Sequence, residues 1–253
     1  MVEIAEAGIN VTPSMNLRSL IRLVLFATVC TADISLAQES SWEFWPETDI
    51  WCQLDSSWRA SALIPITRYN ESHSRDLNIY AQADYKWGHA NRTVYRRLMN
   101  ENRAQHMNAW LVRAGFMEGW SLGERAGEYT EDMLYAEIHE RVPIFEDVLL
   151  SHRIRTDFRW VGQAPEFSYR VRYRAMVERE FAVGSSSLVP YVNVEAYWDS
   201  RYLTFNRVRL IGGATVVWGP RFAYEGNITY QHDAEYATTN LYAVNIILHV
   251  FFE

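Results

Sequence analysis

Arginine recurs with a period of two in neighbouring stretches of this chain. "SHRIRTDFRW" (151–160) carries Arg153, Arg155, Asp157 and Arg159, and "FSYRVRYRAMVERE" (167–180) carries Arg170, Arg172 and Arg174. A further pair, Arg207 and Arg209, lies in "FNRVRLIGGATVVW" (205–218). A guanidinium presents a rigid fork of donors that matches carboxylates and other oxyanions. Cations so spaced can pair with carboxylates, and Asp157, Glu137, Glu195 and Glu225 are the candidates. They can also line a narrow constriction that admits small anions. Neither use needs a catalytic group.

Acid–base and nucleophilic chemistry find less support. His139 and His152 flank one connection, with Glu140 and Glu146 nearby, but alternation sends the two rings to opposite faces. Ser185 to Ser187 fall in a short turn signal with no partnered histidine in the local sequence. His232 and Asp233 fall in a loop signal and read as an exposed polar turn rather than a metal site. No H-E-x-x-H, C-x-x-C or phosphate-binding loop is present. The sequence names no catalytic residue, no metal ligand and no cofactor.

A period of two is the period of a β-strand. It dominates from about residue 48 onward. "DLNIYAQADY" (76–85) sets Leu77, Ile79, Ala81 and Ala83 against Asp76, Asn78, Gln82 and Asp84. "MLYAEIHER" (133–141) sets Leu134, Ala136 and Ile138 against Tyr135, Glu137, His139 and Arg141. "PYVNVEAYW" (190–198) sets Val192, Val194 and Ala196 against Tyr191, Asn193, Glu195 and Tyr197. About eleven such runs follow one another, separated by turn signals such as "DSS" (55–57) and "WGP" (218–220). "SSWEFW", before Pro46, supplies a candidate twelfth. "NRTVYRRLMNENRAQ" (91–105) lacks alternation and reads as a short polar helix inside a connection.

Composition narrows the class. The 253 residues carry 24 Lys+Arg against 31 Asp+Glu, a formal charge of -7, which argues against a nucleic-acid partner. Lys86 is the one lysine, so fixed ion pairs suit the cations better than a solvated surface does. Aromatic residues make up 14%, including 10 Trp and 15 Tyr, enough for belts at two membrane interfaces. "MNLRSLIRLVLFATVCTADISLAQES" begins at Met15 with Arg18 and Arg22, an apolar run and small residues before Gln38. That is the layout of a secretory signal peptide, giving a leader over 1–37 with a start at Met1 or Met15, and a mature domain over 38–253. Cys30 belongs to the leader, so Cys52 stands alone and no intramolecular disulfide forms.

Two folds satisfy one apolar and one polar face on nearly every strand. A secreted sandwich buries the apolar face, and a membrane barrel turns it to lipid. The last run favours the barrel. "NLYAVNIILHVFF" (240–252) places Tyr242, Val244, Ile246, Leu248, Val250 and Phe252 on one face, resembling the recognition signal of outer-membrane barrels, with Glu253 one residue beyond it. The expected fold is all-β: a single antiparallel transmembrane barrel of ten to twelve strands. Twelve is favoured because bacterial single-chain barrels have even strand numbers.

An ordered set of segments also resembles the bacterial family catalogued as domain of unknown function 2490. They are "FWPETDIWCQL" (44–54), "LVRAGF" (111–116), "LLSHRIRTDFR" (149–159), "YRVRYRAMVEREF" (169–181), "VPYVNVEAYWDSRY" (189–202), "FNRVR" (205–209) and "ITYQHD" (228–233). The resemblance implies an outer-membrane β-barrel of Gram-negative bacteria and carries over no catalytic residues. The expected partners are outer-membrane lipid and, during biogenesis, the barrel-assembly machinery. Three roles stay open, in order of preference: a structural barrel whose lumen is filled by ion pairs, a narrow anion-preferring channel, and an outer-membrane hydrolase.

Overall fold

The alternating runs fold as long strands. The computed structural model describes residues 40–67, 75–89, 108–122, 130–144, 148–162, 164–184, 186–235 and 240–252. The expected leader and the expected helix over 91–105 lie outside the described residues. In chain order the strands are β1 (Ser40–Gln53), β2 (Trp58–Thr67), β3 (Arg75–His89), β4 (Asn108–Leu122), β5 (Thr130–Pro143) and β6 (Val148–Val161). There follow β7 (Glu166–Arg179), β8 (Phe181–Val183), β9 (Ser186–Asp199), β10 (Thr204–Trp218), β11 (Phe222–Asp233) and β12 (Asn240–Phe252). Each long strand pairs with the next, and β12 returns to β1, closing a barrel.

Eleven strands close it, not the favoured twelve, and β8 is the extra one. Glu178 faces Tyr191 and Phe181 faces Leu188, so β8 continues the line of β7 in unchanged register. The ladder lapses opposite Pro190, whose nitrogen cannot donate. At the other end of the chain, "SSWEFW" is no separate strand. It runs through Pro46 into β1, over a stretch that pairs with β12 alone, where one missing N–H is tolerated. An odd count forces the first and last strands to run the same way. β1 and β12 therefore pair parallel, from Ser40↔Asn240 to Cys52↔Phe252, in a barrel otherwise antiparallel.

Short turns hold the strands in sequence. Between β1 and β2 the Asp55 carboxylate accepts from the backbone N–H of Ser57 (2.7 Å) and Trp58 (2.8 Å). Those two bonds hold its carboxyl below the ordinary carboxylate range. Gly219, at φ 69°, begins the turn after β10. Ser186 and Ser187 belong to β9 rather than to the expected turn. His232 and Asp233 close β11 rather than lying in a loop. A bulge at the start of β10 pairs Phe205 with Trp198 and Arg207 with Tyr197, which turns both Asn206 and Arg207 inward.

The polarity of the barrel is inverted relative to a soluble domain. Leu134 and Ile154 are each 50% exposed and Val192 is 62% exposed, whereas Asp84 and Asp157 are 0% and Arg59 is 1% exposed. The small, apolar and aromatic face points outward on the long strands, and most of their charged side chains point into the lumen, β12 contributing mainly Leu241, Ala243, Ile247 and Phe251 to it. Outward aromatics gather near both rims. At the rim where β2 begins and β3 ends, Trp58 packs on Tyr85 (5.0 Å between ring centroids) and Trp87 on Trp110 (6.3 Å). At the opposite rim Trp42 stacks on Tyr242 (5.1 Å) and Trp160 packs on Phe167 (5.5 Å).

Two glycines, Gly115 and Gly213, leave no room for a Cβ in the interior. Gly115 faces Tyr135 across β4 and β5, and a Cβ there would stand 2.5 Å from the phenol ring and 2.9 Å from the Ala81 carbonyl. Tyr135 cannot yield freely, because its hydroxyl donates to Gln82 Oε1 at 2.5 Å and the Arg155 guanidinium stacks on its ring at 3.9 Å. Gly115→Ala is expected to destabilise the barrel by ~1–3 kcal/mol through overpacking. Gly212→Ala, which meets open space outside, is the control and should leave the urea unfolding midpoint in place.

Candidate functional site

The arginines expected from the sequence converge inside the barrel. Registers set them opposite one another: Arg153↔Arg174, Arg155↔Arg172 and Asp157↔Arg170 across β6 and β7. Across β7 and β9 they run Arg170↔Asp199, Arg172↔Tyr197 and Arg174↔Glu195. Arg207 and Arg209 enter from β10, with Arg209 opposite Glu195. Cations this close require counter-charges, and three carboxylates act as hubs.

Asp157 is the first hub. It accepts from Arg155, from Arg170 Nε at 2.9 Å and from Arg172 Nε at 2.7 Å. Glu137 is the second. It meets Arg155 Nη1 at 2.8 Å, Arg113 Nη1 at 3.3 Å and Arg153 Nη1 at 3.7 Å, and His139 Nε2 lies 2.7 Å away. Glu195 is the third, holding Arg153 and accepting from the Tyr197 hydroxyl at 2.5 Å. The pattern extends to both sides. Arg159 bridges Glu131 and Asp199, and Arg207 pairs with Asp233.

Several members of this interior escaped the sequence reading. Arg59 and Arg113 share Asp84, with Arg113 Nε at 2.6 Å from its carboxylate. Arg59 also lies over the Trp51 ring at 3.9 Å. The lone lysine, Lys86, is buried in the lumen and donates to Gln53 Oε1 at 3.2 Å. Tyr197 is a centre in its own right: the guanidinium carbons of Arg170, Arg172, Arg207 and Arg209 lie 5.1–5.6 Å from its ring. Its position on the polar face was the available signal, but the convergence of four arginines on it required the register.

The opposite wall is acidic. Glu47 and Asp49 of β1 and Glu225 of β11 face the lumen, and His249 of β12 sits between Asp49 (3.2 Å) and Glu225 (3.3 Å). Between the walls lies a cavity of about 680 Å³. Toward one rim it meets an apolar cluster of Trp51, Val217, Ala223 and Phe251.

The residues weighed for catalysis do not assemble. His139 points inward onto Glu137, while His152 points outward, its Nδ1 at 2.7 Å from the Tyr173 hydroxyl. Asp233 is engaged by Arg207 and Gln231, and His232 by Asn240 (3.2 Å). Among the described residues no group of three or more His, Cys, Asp or Glu side chains is placed to hold a metal ion.

The family model for a protein of unknown function, DUF2490, matches residues 44–242. The chain belongs to the DUF2490 family. The match begins within β1 and ends within β12, and so spans every arginine of the lumen named above. No curated protein and no solved structure matches the chain.

Proposed function

We propose that this DUF2490 protein is an outer-membrane β-barrel of a Gram-negative bacterium, exported through a signal peptide, whose lumen is braced by arginine–carboxylate pairs. The observation that carries the reading is the inversion of polarity. An apolar wall such as Ile154 and Val192 is costly in water and favourable in hydrocarbon, and rings of Trp and Tyr near both rims suit the two interfaces. Closure of β12 onto β1 leaves no strand with a wholly open edge in lipid. The outward row Tyr242, Ile246, Leu248, Val250 and Phe252 of β12 is then what the assembly machinery reads.

Membrane fractionation with unboiled and boiled gels tests this. The protein should enter the outer-membrane fraction and change mobility on boiling. Recovery in the periplasmic fraction with a single mobility would sink the reading.

A second reading, a narrow anion-preferring pore, is favoured by the cavity and its arginine wall. Planar-bilayer recording separates the two. A silent barrel supports the braced lumen, and steady conductance with anion preference supports the pore.

A further inference from the structure

We infer that the lumen contains a binding site for a compact oxyanion of two or more negative charges, such as a polyphosphate or a tricarboxylate, on the arginine wall around Tyr197. The inference deepens the reading of the lumen above and depends on it only for how the anion arrives.

The first argument is charge. Arg153, Arg155, Arg170, Arg172 and Arg209 face this part of the cavity, and the carboxylates among them are Glu137, Asp157 and Glu195. Glu137 is further drawn on by Arg113 and His139, and Asp157 is divided among three guanidiniums. Arg209 hydrogen-bonds an uncharged acceptor, Gln231 Oε1, at 2.6 Å. The wall therefore holds more cation than its own carboxylates neutralise.

The second argument is unused donor capacity. The Nε–H of Arg153 is buried and meets no acceptor among the described residues. Asn193, 4% exposed and facing the same cavity, has a side-chain oxygen with no hydrogen-bond partner among the described residues, and the amide can equally be turned to present its NH₂. Buried polar groups are ordinarily satisfied, and both of these line the cavity that the surplus cations face.

The third is shape. The cavity, at about 680 Å³, falls within the roughly 300–1,000 Å³ of small-molecule sites. Four guanidiniums arranged around one phenol ring can offer forked donors from several sides to one small anion. Glu225 on the far wall repels the anion toward the arginines. Because the site faces the lumen and not the barrel exterior, the oxyanion is free in solution rather than carried on a lipid.

The test is calorimetric titration of the purified full-length mature chain, folded in lipid-free detergent, with inorganic pyrophosphate and separately with citrate, at ionic strength held constant with sodium chloride. Saturable binding of one anion per chain is expected. Arg209→Gln leaves no carboxylate orphaned and should weaken binding about tenfold or more, the worth of one charge-assisted hydrogen bond. Glu225→Gln removes a repelling charge while keeping every arginine, and should tighten it. Absence of saturable binding overturns the proposal, and so does an affinity identical in wild type, Arg209→Gln and Glu225→Gln. If Arg209→Gln does not fold, Glu225→Gln alone decides, since unchanged affinity there places the anion elsewhere. Failure of the outer-membrane reading would appear in fractionation and leave this titration unaffected.

Discussion

Asp157→Ala is expected to destabilise the barrel by ~3–5 kcal/mol, the range for removing one partner of a buried ion pair. The side chain is fully buried and its two oxygens are shared by Arg155, Arg170 and Arg172. Deleting it leaves three guanidiniums facing one another on β6 and β7, with Arg174 already opposite Arg153 one step along the ladder. Two costs add: the lost pairing, and repulsion among cations held by rigid strands. Asp157→Asn keeps the shape and one acceptor, and should lie between wild type and alanine. Arg172→Met in the Asp157→Ala background should recover part of the loss, because it removes one of the stranded charges. Urea titrations followed by tryptophan fluorescence would measure all four proteins. A shift of the Asp157→Ala midpoint within ~0.5 kcal/mol of wild type, the range of an ordinary surface substitution, would mean that the lumen is wet enough to solvate bare guanidiniums. The ion-pair brace would then be wrong.

The same residues mark where the sequence could be read and where it could not. Alternation sorted Arg153, Arg155, Arg170 and Arg172 onto one face because side chains on a strand alternate regardless of what surrounds it. It could not say which face was inside, since a sandwich and a barrel share that pattern and differ only in solvent. Nor could it say that Arg172 would meet Asp157 and Tyr197. Those contacts are fixed by the register of β6, β7 and β9, which depends on turn lengths and on the whole ladder. Asp49 and Glu225 come to share His249 only because β12 closes onto β1, a contact between opposite ends of the chain. Eleven strands lie within the expected ten to twelve, and the preference for twelve failed for a local reason. Pro46 reads as a break, yet β1 passes through it where a single neighbour is paired, and an even-numbered rule then favoured a twelfth strand. The parallel seam was invisible for the same reason, because it follows from the odd count and from nothing in the residues themselves.

Ile154→Arg should cost ~2–4 kcal/mol when the barrel is folded in lipid vesicles, the penalty for an arginine at the bilayer midplane. The position is chosen for its ordinariness. Ile154 lies midway along β6 on the outward face, half exposed, between Arg153 and Arg155 of the opposite face. In water the substitution would be nearly neutral, within ~0.5 kcal/mol, because an exposed apolar side chain makes few contacts to lose. In hydrocarbon a guanidinium must either drag water in or stretch toward an interface, and mid-strand both routes are long. The same change at Val148, at the start of β6 on the same outward face, should cost less, since the penalty falls toward ~0–1 kcal/mol near the interface. The gradient matters more than either value alone. A packing defect would be insensitive to depth along the strand, whereas a penalty imposed by lipid must decline from Ile154 toward the rim. Equal, negligible costs at both positions would return the outward apolar face to water and remove the basis for placing this barrel in a membrane.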